Sequence, residues 1–102
     1  AIQFMLADMK TKVEASRLLT WKSAIEFDNA ITNTESAAHA KRFAADSCME
    51  VTTDAVQVFG GYGYSEEYPV ARLMRAAKVM QIYEGSSQVQ RMIIGREITK
   101  NL

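Results

Sequence analysis

Apolar residues Ile2, Leu6, Met9, Val13, Ala24 and Phe27 recur near the helical period, with a more polar middle at Ser16 and Thr20. One long amphipathic helix is expected from about Ile2 to Asn29. The pattern lapses from Asn29 to Thr34, where Asn33 or Thr34 offers a side-chain oxygen to cap the next helix. Ala37, Ala44, Val51 and Val58 then stand seven residues apart with Cys48 and Ala55 beside them, which predicts a second long helix with a narrow face of small residues. Gly60 and Gly61 end it, because glycine reaches the positive-φ conformation of a helix C-terminus without steric cost. A loop from Gly60 to Tyr68 leads to Pro69, which suits the first turn of a short third helix running to about Lys78. The period lapses again from Val79 to Gly85, and Ser86 or Ser87 can cap a last helix bearing Val89, Met92, Ile93 and Ile98. Short links favour antiparallel neighbours, so the expected fold is all-α, an up-and-down four-helix bundle in one domain spanning residues 1–102.

Composition narrows the function. Among 102 residues, twelve Lys plus Arg balance twelve Asp plus Glu, so no global field draws in nucleic acid or an anionic membrane. Apolar runs are a few residues long, against the roughly 20 that a bilayer span requires, so no membrane span is expected. Cys48 is the only cysteine and His39 the only histidine, which excludes an intrachain disulfide and any multi-Cys or multi-His metal site, and fits a reducing compartment. Cys48 reads as a small buried side chain, His39 as a helix-surface residue, and the six methionines as core filler.

Three segments do more than build a bundle. Gln57-Val58-Phe59-Gly60-Gly61-Tyr62-Gly63-Tyr64 packs three glycines into four residues, a turn whose exposed N–H groups could hold phosphate oxygens. A helix end followed by a flexible turn, its tyrosines packing the underside, explains the same letters. Gln81-Ile82-Tyr83-Glu84-Gly85-Ser86-Ser87-Gln88 sets a carboxylate among apolar neighbours before a helix N-terminus, where burial would strengthen it as a base and Gly85 would let a ligand approach the backbone. A solvated loop acid favoured by the helix dipole is the plainer alternative. Arg72, Arg75 and Lys78 fall at helical spacing, either a cationic stripe toward an acidic ligand or a solvated face.

These segments occur in this order, joined by Glu67-Tyr68-Pro69-Val70 and Leu73-Met74-Arg75-Ala76-Ala77-Lys78, and flanked by Ala1-Ile2-Gln3-Phe4-Met5-Leu6-Ala7-Asp8-Met9, Thr53-Asp54-Ala55-Val56-Gln57 and Gln90-Arg91-Met92-Ile93-Ile94. Over its full length the chain resembles the C-terminal helical domain of the FAD-dependent acyl-CoA dehydrogenases. The family's N-terminal helical domain and middle β-domain have no counterpart here, so the resemblance implies a fragment or an excised domain, inactive alone.

The resemblance implies that Glu84 removes the α-proton of an acyl-CoA while the β-hydrogen leaves as hydride to FAD, giving a trans-2-enoyl-CoA. The backbone N–H of Glu84, with a flavin ribityl hydroxyl, would polarise the thioester carbonyl. Gly85 becomes a substrate contact and Tyr83 a wall of the acyl pocket. Gln57, Val58, Phe59, Gly60 and Gly61 match the turn that meets the adenosine and pyrophosphate end of a flavin held mainly by an adjacent subunit. Ser86, Ser87 and Gln88 match the flavin-contacting helix cap, with Ser86 where threonine is common and the hydroxyl kept.

A loop glutamate sets the chain apart from isovaleryl-CoA and long-chain members, and Phe59 to Tyr64 looks most like the bacterial short-chain, butyryl-CoA type. The implied substrate is a short- or medium-chain acyl-CoA. The implied partners are electron-transfer flavoprotein as acceptor and sister subunits in a homotetramer, in bacterial cytoplasm or in the mitochondrial matrix of a eukaryote. An acyl-CoA oxidase domain and a non-catalytic helical assembly module are the competing readings. Faces that meet missing domains should be apolar for a monomer surface and promote self-association.

Overall fold

A computed structural model describes residues 1–102, and all regular structure in it is helical. The elements are α1 (Ile2–Asp28), α2 (Thr34–Phe59), α3 (Gly61–Tyr64), α4 (Pro69–Met80) and α5 (Ser87–Thr99). The four expected helices are present within a residue or two of their anticipated ends. The loop expected from Gly60 to Tyr68 contains one further helical turn, α3.

Helix α2 is the axis of the molecule. Helices α1, α4 and α5 each pack on α2, α3 bridges α2 and α4, and α1, α4 and α5 do not meet one another. The bundle is thus open rather than closed on itself, and its dimensions of 51 × 25 × 24 Å follow the length of α1 and α2. A face of Ala, Ser and Cys on α2 permits this, because small side chains let several helices approach one backbone closely. Ser36, Ala38, Ala40, Ala45 and Ser47 are buried on α2, whereas α1 buries none of its residues.

The direction that α1 presents to α2 differs from the expectation. Its half-buried positions include Met5, Met9, Lys12, Ser16, Leu19, Ser23 and Glu26, spaced alternately four and three residues apart along the seam with α2, with Glu14 and Ala15 half-buried beside them. Ile2, Leu6, Val13 and Phe27, read from the sequence as the inward stripe, are exposed together with Phe4, Leu18, Trp21 and Ile25. Polar bonds set the register instead. Lys12 pairs with Glu50, the Ser36 hydroxyl donates to the Glu26 carboxylate at 2.7 Å, and the Asn33 amide donates to the Ser23 carbonyl and hydroxyl at 3.2 Å. These contacts make α1 and α2 an antiparallel hairpin. Asn33 occupies the N-cap position of α2 without a side-chain cap, and its Nδ2 donates across the turn to Ser23 instead.

Helix α4 opens at Pro69 after an extended Tyr68, as a residue before proline prefers. It turns Val70, Met74 and Ala77 inward; of these Val70 and Ala77 are buried. Helix α5 turns Ser87, Gln90, Ile94 and Glu97 inward, leaving Val89, Met92 and Ile98 of the anticipated apolar face exposed. Only Ile93 of that set is half-buried. Cys48 is half-buried on α2, and no helix is long and apolar enough to cross a membrane.

Candidate functional site

The segment between α4 and α5 is a five-residue loop on a closed neck. The Ser87 N–H donates to the Gln81 carbonyl at 3.0 Å, and Asp46 of α2 bridges the same two residues, accepting from Gln81 Nε2 at 2.8 Å and from Ser87 Oγ at 2.7 Å. Residues Ile82 to Ser86 project beyond this neck. Beneath them Lys41 donates to the carbonyl of Met80, the last residue of α4, and to the Gly85 carbonyl at 3.2 Å, and its ammonium lies 5.9 Å from the Tyr83 ring centre. Gln90 adds a second donor to the Gly85 carbonyl at 3.1 Å.

At the tip the backbone turns left-handed twice, with φ +55° at Glu84 and +87° at Gly85. For Glu84, which has a β-carbon, this conformation costs roughly 1–2 kcal/mol, so the anchors below must hold it. Gly85 has two reasons to be glycine: its positive φ, and the Gln90 amide nitrogen, which would stand 2.6 Å from an added β-carbon. The N–H groups of Glu84, Gly85, Ser86 and Gln88 find no acceptor within the chain. Ser86 caps α5, its hydroxyl accepting from the Val89 N–H at 3.2 Å, so the capping role falls to Ser86 and not to Ser87.

Burial of Glu84, anticipated from its apolar neighbours, is not what the fold produces. Glu84, Ile82 and Tyr83 are all exposed, because Tyr83 folds back to donate from its hydroxyl to Met80 Sδ at 3.0 Å while no other element of the chain covers the tip. Ser87 is buried with its hydroxyl on Asp46, while Gln88 is exposed beside the tip. A cleft of about 440 Å³ runs along the neck of the loop, lined by Asp46, Gln81, Ser87 and Gln88 with the charges of Arg42 and Arg91.

The glycine turn lies elsewhere. Gly60, at φ +66° and ψ −146°, ends α2 and donates to the Gln57 carbonyl at 3.0 Å. Gln57, Phe59, Gly60 and Gly61 are exposed and Val58 is half-buried. Tyr68 clips the turn, its ring 5.7 Å from Phe59 and 5.9 Å from Tyr62, while Tyr62 and Tyr64 stay in solvent instead of packing the underside. Gln57 is eleven residues beyond Asp46 on α2, roughly 16 Å at the helical rise, so the two candidate groups are separate surfaces of one helix. Arg72 and Arg75 line an 860 Å³ cleft with Tyr64 and Glu66, whereas Lys78 faces the loop and donates to Gln81 Oε1 at 3.1 Å. The three cations do not form one stripe.

A profile of the acyl-CoA dehydrogenase C-terminal domain matches residues 1–99. The chain belongs to the acyl-CoA dehydrogenase family. Cyclohexane-1-carbonyl-CoA dehydrogenase of Geobacter metallireducens is 52% identical over 99 residues, covering 97% of this chain and 26% of that protein. Butyryl-CoA dehydrogenase from Megasphaera elsdenii superposes with a TM-score of 0.93 at 57% identity, over 95% of this chain and 25% of that one. A chain in the structure of the electron transferring flavoprotein of Acidaminococcus fermentans superposes with a TM-score of 0.96 at 53% identity, over 98% of this chain and 26% of its own length. This acyl-CoA dehydrogenase C-terminal domain thus spans about a quarter of the relatives it matches.

Lys41 and Asp46 escaped the sequence reading. The only signal in Ala40-Lys41-Arg42-Phe43-Ala44-Ala45-Asp46 is that Lys41 and Asp46 sit among alanines, on a helix with small residues enough to be packed on several sides.

Proposed function

We propose that this chain supplies the catalytic base and part of the flavin environment of an FAD-dependent acyl-CoA dehydrogenase that oxidises a short- or medium-chain acyl-CoA to trans-2-enoyl-CoA. The observation that carries the reading is the loop itself: a glutamate held left-handed at a tip, with four N–H groups around it free to donate. The identity to butyryl-CoA dehydrogenase favours a short acyl chain.

In this reading Glu84 takes the α-proton of the thioester, for which an unpaired carboxylate at an exposed tip is available. Its own N–H donates to the thioester carbonyl, stabilising the negative charge that develops on that oxygen as the proton leaves. Gly85 contacts the substrate through its backbone, and Tyr83 walls one side of the acyl chain. FAD, when bound, accepts the β-hydride. The residues present fit that group: Ser86 and Gln88 offer free N–H groups at the N-terminus of α5, where an anionic or electron-rich edge is favoured. Ser87 contributes by holding the cap on Asp46.

Gln57, Val58, Phe59, Gly60 and Gly61 serve a second flavin, at its adenosine and pyrophosphate end. They begin eleven residues along α2 from Asp46, the residue under the Glu84 loop, which suits assignment to a neighbouring subunit's cofactor; the assembly proposed with it is a homotetramer. Electron-transfer flavoprotein is the acceptor. Glu84 is exposed and the two clusters are apart, so the chain alone is inactive and the missing walls come from other domains.

Anaerobic addition of butyryl-CoA to the flavin-loaded enzyme containing this chain tests the reading. Bleaching of the flavin with stoichiometric 2-enoyl product is expected, and an unchanged flavin spectrum would refute it.

A further inference from the structure

We propose that Lys41 and Asp46, from adjoining turns of α2, are positioning residues for Glu84, an inference that rests on Glu84 being the base. The loop leaves α4 at Met80 and enters α5 at Ser87; Ile82 and Tyr83 still donate to the Val79 carbonyl of α4, and beyond Tyr83 the side chains that reach the loop from outside it come from α2 and α5. Asp46 ties Gln81 to Ser87 and so fixes the width of the neck. Lys41 ties the Met80 carbonyl to the Gly85 carbonyl, joining the end of α4 to the residue after Glu84. Gln90 holds the Gly85 carbonyl from the other side.

The Gly85 carbonyl is the critical atom. Its direction fixes the rotation of the backbone at Gly85, and the φ of +87° there and +55° at Glu84 are what aim both the Glu84 carboxylate and the Glu84 N–H outward from the tip. Glu84 lacks any side-chain bond of its own, so without Lys41 the Gly85 carbonyl keeps only the Gln90 amide, and the neck held by Asp46 is left to oppose relaxation of the strained residue from a distance. A displacement of the base by about 1 Å is enough to slow the reaction by up to ~10²-fold. Lys41 touches neither substrate nor cofactor in this arrangement and acts only through the loop.

The test compares Lys41→Met, Lys41→Arg, Gln90→Met and Glu84→Gln in the flavin-loaded enzyme containing this chain. Lys41→Met should accelerate amide exchange at residues 82–86 and slow flavin reduction by butyryl-CoA by ~10- to ~100-fold, the cost of a misplacement of that size. Flavin content and binding of a non-reactive acyl-CoA analogue should stay near parental values. Lys41→Arg, which keeps donors for both carbonyls, should recover most of the rate, and Gln90→Met should show the same loss in weaker form. Lys41→Met should add almost nothing to Glu84→Gln, because the two act at one step. A parental reduction rate or parental exchange in Lys41→Met overturns the proposal. So does a rate loss that comes with equal loss of flavin and analogue binding and that arginine does not recover. If Glu84→Gln itself reduces flavin at the parental rate, the base assignment fails, and the exchange pattern still decides whether Lys41 holds the loop.

Discussion

A β-carbon at Gly63 would lie 2.5 Å from the carbonyl oxygen of Val56, so the single turn of α3 is seated against the last turns of α2 with no room for a methyl group. The neighbouring Gly61 has open space around its missing β-carbon. Gly63→Ala should therefore destabilise the fold by about 1–3 kcal/mol, since the opposing atom is backbone and cannot rotate away. Gly61→Ala should be neutral or stabilising by up to ~1 kcal/mol, a helical glycine having been replaced by alanine. Thermal unfolding of the two variants separates them, and equal melting temperatures would contradict this packing.

The Lys12–Glu50 pair joins α1 to α2 and carries a pH signature. A hydrogen bond from Lys12 to the Glu50 carboxylate raises the lysine above its ordinary value, opposed by partial burial and aided by the charges of Glu50, Asp54 and Asp8. A raised value in the folded state stabilises the fold fully below the unfolded value of about 10.5 and is lost as pH rises through the folded one. The stability advantage of the parent over Lys12→Met should therefore be constant near neutrality and shrink above about pH 10.5. An advantage that persists unchanged at the alkaline end would show that the lysine acts through packing alone.

Glu14 runs the other way. Hydrogen bonds from Lys10 and Arg17 hold its carboxyl below the ordinary value of 4.5, so its contribution is present above that value and fades as pH falls below it. Glu14→Gln should lose stability at neutral pH by a small, salt-sensitive amount, and the difference should begin to shrink below about 4.5 and vanish once the pH has fallen through the lower folded-state value. Melting temperatures across that range check the sign.

Helix α1 shows its large apolar side chains to solvent, with Phe4 78%, Phe27 73% and Trp21 56% exposed. The 102-residue chain in isolation should self-associate through this face, and Leu18→Lys with Trp21→Glu should shift it toward monomer in sedimentation velocity. A strictly monomeric parent at high concentration would contradict the expectation.

Helix positions were legible because they depend on local rules. Pro69 opens α4, Ser86 caps α5, and Gly60 ends α2 at a positive φ, each within a few residues of its cause. Which way α1 faces was not legible, because Ile2, Leu6, Val13 and Phe27 form a helical stripe that serves a surface other than α2. Periodicity reports that a face is apolar and not what covers it. The exposure of Glu84 followed the same logic, since its apolar neighbours Ile82 and Tyr83 also lack a cover within the chain. The roles of Lys41 and Asp46 were not legible for a different reason: the small residues around them mark a packed helix, but they act across 44 and 41 residues of sequence, on Gly85 and Ser87.

Single-turnover flavin reduction by butyryl-CoA in the Glu84→Gln enzyme, beside a binding titration with a non-reactive analogue, tests the central claim most directly. Glutamine keeps the volume and the backbone N–H of residue 84 but cannot take the α-proton, so analogue affinity should persist. General-base assistance is worth ~10² to ~10⁴ in rate, and the loss of reduction rate should reach at least the top of that range. Bleaching at close to the parental rate would place the base elsewhere and contradict the role assigned to Glu84.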